Sequence, residues 1–153
     1  MSADRISTSR SMAASPATIF AIVCDPAQHV AIDGSGMVEA ALDARPITAI
    51  GAMFDMDMDR TPLNDIAGLV KYKVRNVVTR FERDRLVEWT TGGIDLPPVG
   101  HVYGWQLEPD GNGGTQVTHY CDWTGISRRC GASAAGPSCR CTCSRTRSPT
   151  LRA

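Results

Sequence analysis

On the stretch "HVYGWQL", His101, Tyr103, Trp105 and Leu107 occupy every second position. A strand turns alternate residues to opposite faces, so an imidazole, a phenol, an indole and an aliphatic chain share one side. The run "KYKVRNVV" does the same with Tyr72, Val74, Asn76 and Val78, and "FDMDMD" with Phe54, Met56 and Met58. His119 in "TQVTHYCDW" supplies a second imidazole. An apolar hollow with a few convergent polar groups is the usual character of a small-molecule site. In such a hollow a neutral imidazole can act as a general base and a phenol can hydrogen-bond a developing oxyanion. Each of these side chains also has a structural reading, as a core residue with satisfied hydrogen bonds.

The remaining candidates have local explanations beside functional ones. His29 and Asp33 lie in "HVAIDGSG", at the end of an expected second helix, where capping and a glycine turn call for short polar groups. Asp55, Asp57 and Asp59 could suit a hard cation. Alternation instead makes them an outward acidic stripe facing Lys71, Lys73 and Arg75 of the next strand. No metal and no cofactor are expected. "GSG" at 34–36 and "GNGG" at 111–114 lack the spacing and the strand-to-helix setting of a nucleotide loop, and no Ser-His-Asp pattern is present.

Elements able to position these residues follow in order. "DRISTSRSM" alternates as a first strand at a sheet edge. Ser15 as N-cap, Pro16 at the first helical position, and Ile19, Phe20 and Val23 on one face predict a short amphipathic helix. Asp25 and Pro26 repeat the signal for a second short helix that "DGSG" stops. Six further strands follow: "MVEAAL", "AMFDMDMD", "VKYKVRNVVTRFE", "RLVEWTT", "GHVYGWQLEP" and "TQVTHYCDW", with turns at Arg83-Asp84 and "DGNGG". The reading is an α+β domain with a seven-stranded antiparallel curved sheet and two short helices near the N-terminus.

The totals agree with one domain. The 153 residues are 42% hydrophobic and 21% charged, close to ordinary globular usage. The zero formal net charge hides a division: residues 128–153 hold six arginines and no acid, so the preceding 127 hold 10 Lys and Arg against 16 Asp and Glu. An acidic body disfavours nucleic acid or anionic membrane as partner. No stretch approaches the roughly 18 apolar residues of a membrane span, and "MSADRISTSR" lacks a secretory core, so a cytoplasmic protein is expected. In that compartment Cys24 and Cys121, in apolar surroundings, are expected to be reduced thiols.

The segments "SPATIFAIVCDPAQHVAIDGSGMV", "FDMDM", "KYKVRNVVTRFERDRLVEW", "GHVYGWQLEP" and "GTQVTHYCDWTGI", in this order, resemble the START and pollen-allergen-like helix-grip superfamily, SRPBCC, in its polyketide cyclase/dehydrase branch. The resemblance covers roughly residues 4–126. It implies a cavity for a small hydrophobic molecule, polyketide- or lipid-like, between the sheet and a long C-terminal helix. His101 and Tyr103 then become the catalytic candidates, one removing an acidic C–H proton and the other holding the enolate. Phe54, Met56, Tyr72, Asn76, Trp105 and His119 become ligand-binding candidates, with His29 and Asp33 at the cavity mouth. A non-catalytic carrier or sensor is the competing reading.

The sequence departs from that family after Trp123. Residues 1–127 read as the helix-grip domain and 128–153 as an irregular tail, with Pro137, Pro149 and scattered arginine but no apolar stripe of helical period. Cys139, Cys141 and Cys143 are too few and too loosely framed for a four-ligand zinc site. Regrouping GC-rich codons behind residues 135–143 by one phase spells W-P-V-V-P-V-H-[LMV]-L, similar to the entry of the family's closing helix. A defective product of a frameshifted gene is therefore a third reading. With the closing helix absent or degraded, Trp105 and Met56 would lie exposed, and that apolar face would be either an aggregation liability or a homodimer interface.

Overall fold

The computed structural model describes residues 4–43, 45–63 and 67–126. The expectations for residues 128–153, including the cysteine tract and the closing helix, lie outside the described residues. Within them the chain forms strand β1 (Arg5–Met12), helix α1 (Pro16–Val23), a turn of 3-10 helix (Pro26–Gln28) and helix α2 (His29–Ile32). Strands β2 (Val38–Ala41), β3 (Met53–Asp59), β4 (Lys71–Glu82), β5 (Leu86–Gly93), β6 (Val102–Pro109) and β7 (Thr115–Asp122) follow. They make one curved antiparallel sheet in the order β1-β7-β6-β5-β4-β3-β2, with β1 at an edge as its alternation implied.

Local chemistry sets the boundaries. The Ser15 hydroxyl oxygen accepts from the Thr18 N–H at 3.2 Å and Pro16 opens the helix, so α1 begins where the cap is satisfied. Its buried stripe is Ile19, Phe20 and Val23, which packs over β6. Asp25 caps the next turn through the Ala27 N–H at 3.1 Å. At the β4–β5 hairpin Asp84 takes φ +60, and at the β6–β7 hairpin Asp110 Oδ1 accepts from the N–H groups of Asn112 and Gly114.

The core lies between the concave face and α1. Phe20 meets Phe81 edge-on at 5.4 Å, above Val78, Val87, Leu107 and Val117. Phe81 reaches this face because the β4–β5 register shifts between Val78 and Arg80. Without that bulge, alternation from Tyr72 would turn Arg80 inward.

The convex face carries the charges. Arg75 grips Asp55 through two hydrogen bonds of 2.8 and 2.7 Å, and Lys73 bonds Asp57 at 2.5 Å. Lys71 turns instead to Glu39 on β2, at 2.6 Å. The Arg75 guanidinium, chiefly by its hydrogen bonds, holds the Asp55 carboxyl below the usual range. The acidic stripe is thus largely a cross-strand ion ladder. On the same face the Tyr120 ring lies across Gly104 and donates its hydroxyl to Glu88 Oε2 at 2.6 Å, with the Arg5 guanidinium 3.8 Å from the ring centroid.

Candidate functional site

The concave face is divided into a closed end and an open end. At the closed end Phe54 and Met56 are 2% and 3% exposed, within the core cluster that includes α1 and Ile47. The expectation that Met56 would lie exposed is corrected: among the described residues, the N-terminal helices and the chain between β2 and β3 pack over this end. Trp105 is half-buried, packed against the core at the boundary between the two ends.

His29 belongs to the closed end. It begins α2 rather than ending it, is 7% exposed, and its Nε2 bonds the Val23 carbonyl oxygen at 2.8 Å. Its ring stacks on Trp89 at 5.4 Å and meets Phe54 edge-on at 5.3 Å. Burial lowers its pKa below the ordinary 6.5. Asp33 caps the C-terminus of α2 and organises the following turn, accepting from the Ser35 N–H, the Ser35 hydroxyl and the Val38 N–H at 2.9, 2.7 and 2.8 Å. Burial alone would raise this carboxyl, but these donors outweigh it and keep the pKa below 3.8. Asn76 is also engaged: Thr91 Oγ1 donates to its Oδ1 at 2.6 Å and its Nδ2 reaches the Phe54 carbonyl at 3.5 Å.

The open end gathers Tyr72, Tyr103, Trp105, His119 and His101, all half-buried. Trp105 and His119, paired across β6 and β7, stack with centroids 4.2 Å apart. The neutral His119 ring donates from Nδ1 to the Gly104 carbonyl at 3.1 Å, which leaves Nε2 as an acceptor. Its pKa is lowered by burial, against the opposing pull of that hydrogen bond and of the Asp33 carboxylate. The structure therefore relates Asp33 to the site through charge, while its direct bonds serve the turn.

His101 stands just before β6, where Thr90 Oγ1 donates to its carbonyl at 3.0 Å, and its ring meets Tyr103 edge-on at 5.3 Å. Its Nδ1 is buried and has no hydrogen-bond partner among the described residues. Burial lowers the pKa of this imidazole, so it is neutral at pH 7. Burial pushes the Tyr103 phenol up, and the neighbouring Cys121 pushes it further. Cys121 sits opposite Tyr103 in the register and lines the same face. Sequence reasoning left it out, although its place two residues beyond His119 on one strand was a sufficient signal.

No protein-family model matches the sequence. An uncharacterized protein of Mycobacterium tuberculosis, Rv0088, is 33% identical over 119 residues, 78% of this chain and 47% of that protein. The chain thus spans about half the length of the curated relatives it matches. The AHSA1-like protein of Aeromonas hydrophila superposes with a TM-score of 0.54 at 16% identity, covering 84% of each chain. The Polyketide_cyc-like protein Cgl2372 of Corynebacterium glutamicum does so at 0.50 and 18% identity, covering 82% of this chain and 69% of that one. The chain has the helix-grip fold.

Two hollows of this helix-grip domain lie away from the open end. One, of about 240 Å³, is on the convex side beside Arg5, Arg80, Arg85 and Tyr120. The other, of about 400 Å³, lies by Asp43, Arg45, Asp55 and Arg75. Both are lined by charged residues of which several already pair with one another, and neither contains a half-buried imidazole. Among the described residues no group of three or more His, Cys, Asp or Glu could hold a metal ion, and no helix is long and apolar enough to cross a membrane.

Proposed function

We propose that the open end of the concave face binds a small, largely apolar molecule, polyketide- or lipid-like, bearing at least one polar group that meets His101. The observation that carries this reading is the buried Nδ1 of His101, without a partner among the described residues and beside the Tyr103 ring. A buried polar atom is ordinarily hydrogen-bonded, and leaving one unmade costs about 1 to 3 kcal/mol. A ligand hydroxyl or enol would satisfy it while its apolar part lay along Trp105, Tyr72 and Tyr103. The similar structures, one of a polyketide cyclase-like protein and one of an AHSA1-like protein, support a ligand-binding role.

The test uses anilinonaphthalene sulfonate and a series of phenolic polyketide-type compounds, followed by fluorescence. Trp105→Ala is expected to weaken binding by about 3- to 10-fold, the worth of an aromatic contact. Equal affinity for wild type, Trp105→Ala and His101→Ala would remove this face as the site.

The neutral state of His101 favours a further step, in which it takes an acidic C–H proton while the Tyr103 hydroxyl donates to the enolate oxygen. A carrier would bind the same compounds without turnover. Turnover unchanged in His101→Ala removes the proposed base and leaves the carrier.

A further inference from the structure

The sheet has two margins, β1 and β2, and they differ in kind. β2 runs for four residues and has an irregular register between Val38 and Ala40. β1 runs for eight residues in unbroken register with β7, and every one of them is exposed. Natural sheet edges are commonly guarded by charged side chains, proline or a bulge. Arg5–Met12, "RISTSRSM", has neither proline nor bulge, and of its two charges Arg5 lies over the Tyr120 ring, which leaves Arg10 as its one remaining guard.

Its backbone can be accounted for bond by bond. The Asp4 carbonyl accepts from the Trp123 N–H at 2.7 Å, which fixes the phase of the β1–β7 ladder. In an antiparallel pair, residues facing a given neighbour with their N–H and C=O groups alternate along the strand. Ile6, Thr8, Arg10 and Met12 therefore bond to β7, and Arg5, Ser7, Ser9 and Ser11 aim their backbone groups at the open side. Among the described strands none pairs there.

We propose that this margin pairs with β1 of a second copy of the chain, antiparallel and centred on Ser9, joining the two sheets into one. In a continuous sheet, opposed residues must share a face, so a two-fold axis has to pass through a residue and not between two. Centring on Ser9 sets it against the partner's Ser9, Ser7 against the partner's Ser11 and Thr8 against the partner's Arg10. Ile6, 61% exposed, then meets the partner's Met12, whose counterpart in this chain is 44% exposed. Both large apolar side chains of the strand are thereby covered twice, and no like charges stand opposite. Centring on Thr8 would instead set Ile6 against the partner's Arg10. Strand addition of this kind rests on backbone bonds over a small area, so a dissociation constant on the order of micromolar is expected.

Sedimentation equilibrium of the full chain tests this. Wild type is expected to approach twice its 16.4 kDa mass and to dissociate on dilution. Ser9→Pro removes an N–H that faces the open side and none that β7 uses, and is expected to be monomeric. Ser9→Ala loses only the 2.7 Å contact with Thr118 Oγ1 and is expected to dimerise as wild type does. Opposed Cα atoms in a hydrogen-bonded pair stand about 5.5 Å apart, within reach of a disulfide, so Ser9→Cys is expected to cross-link two copies through position 9. Ser7→Cys, which faces the partner's Ser11, is not expected to bridge to itself. A wild-type chain of 16.4 kDa at concentrations on the order of 1 mM overturns the proposal. So does a dimeric Ser9→Pro, or bridging at position 9 no greater than at position 7, as mapped by mass spectrometry.

Discussion

His29, His101 and His119 are each held where burial disfavours the imidazolium. All three have folded pKa values below the ordinary 6.5, so the sign of their effect is common. As pH falls below 6.5 the unfolded chain takes up protons that the folded chain resists, and stability present above 6.5 is lost toward the depressed values. Thermal midpoints are expected to fall between pH 7 and pH 5, and His29→Phe is expected to flatten that dependence; a midpoint constant over this range would contradict the burial of these rings. A later loss, below pH 3.8, belongs to Asp33 and Asp55, whose folded values are also depressed. If His101 is a base, turnover follows the same direction, level above 6.5 and falling as the ring protonates. On the convex side, Gly104→Ala would drive a methyl group into the Tyr120 ring and part its hydroxyl from Glu88. A loss of about 1 to 3 kcal/mol in urea unfolding is expected, the usual result of overfilling a packed contact.

The short helix α1 lends itself to a graded comparison. Ser15→Ala removes one cap and is expected to cost about 1 kcal/mol, whereas Phe20→Ala opens the core above Phe81 and is expected to cost about 3 to 5 kcal/mol. Equal losses in denaturant unfolding would mean that the helix is held by its cap and not by its stripe. Both residues were legible in the sequence because cap, proline and periodic apolar positions coincide within nine residues, 15–23. The strands and their inward faces were legible for a similar reason: Tyr72 to Val78 and His101 to Leu107 alternate without interruption. Alternation fails at Thr79, where the register shift brings Phe81 rather than Arg80 onto the core, and no local residue type marks it. The role of His29 was equally hidden, since its neighbours Trp89 and Phe54 come from distant strands. The partner of Asn76 was hidden in the same way, since Thr91, which donates to its carbonyl oxygen, comes from across the ladder. Short-range patterns report local geometry, while partners brought together by strand pairing leave no mark within a window of the chain.

Taken together, the domain keeps its ions on the outside of the curve and its rings inside. The outer pairs are exposed, so Lys73→Met is expected to change unfolding free energy by less than about 1 kcal/mol and to do so mainly at low salt. A larger loss would mean that the ladder between β3 and β4 is needed to hold the curve. Beyond β7, residues 124–126 are helical, and there Gly125 lies directly against Gly100 in the loop that enters β6. Gly100 has φ +114, and a side chain on Gly125 would strike its carbonyl oxygen. His101 is the next residue, so a methyl group on Gly125 is expected to push back the loop that carries this imidazole, and a changed ligand affinity in Gly125→Ala would report it with every residue of the open end left unaltered.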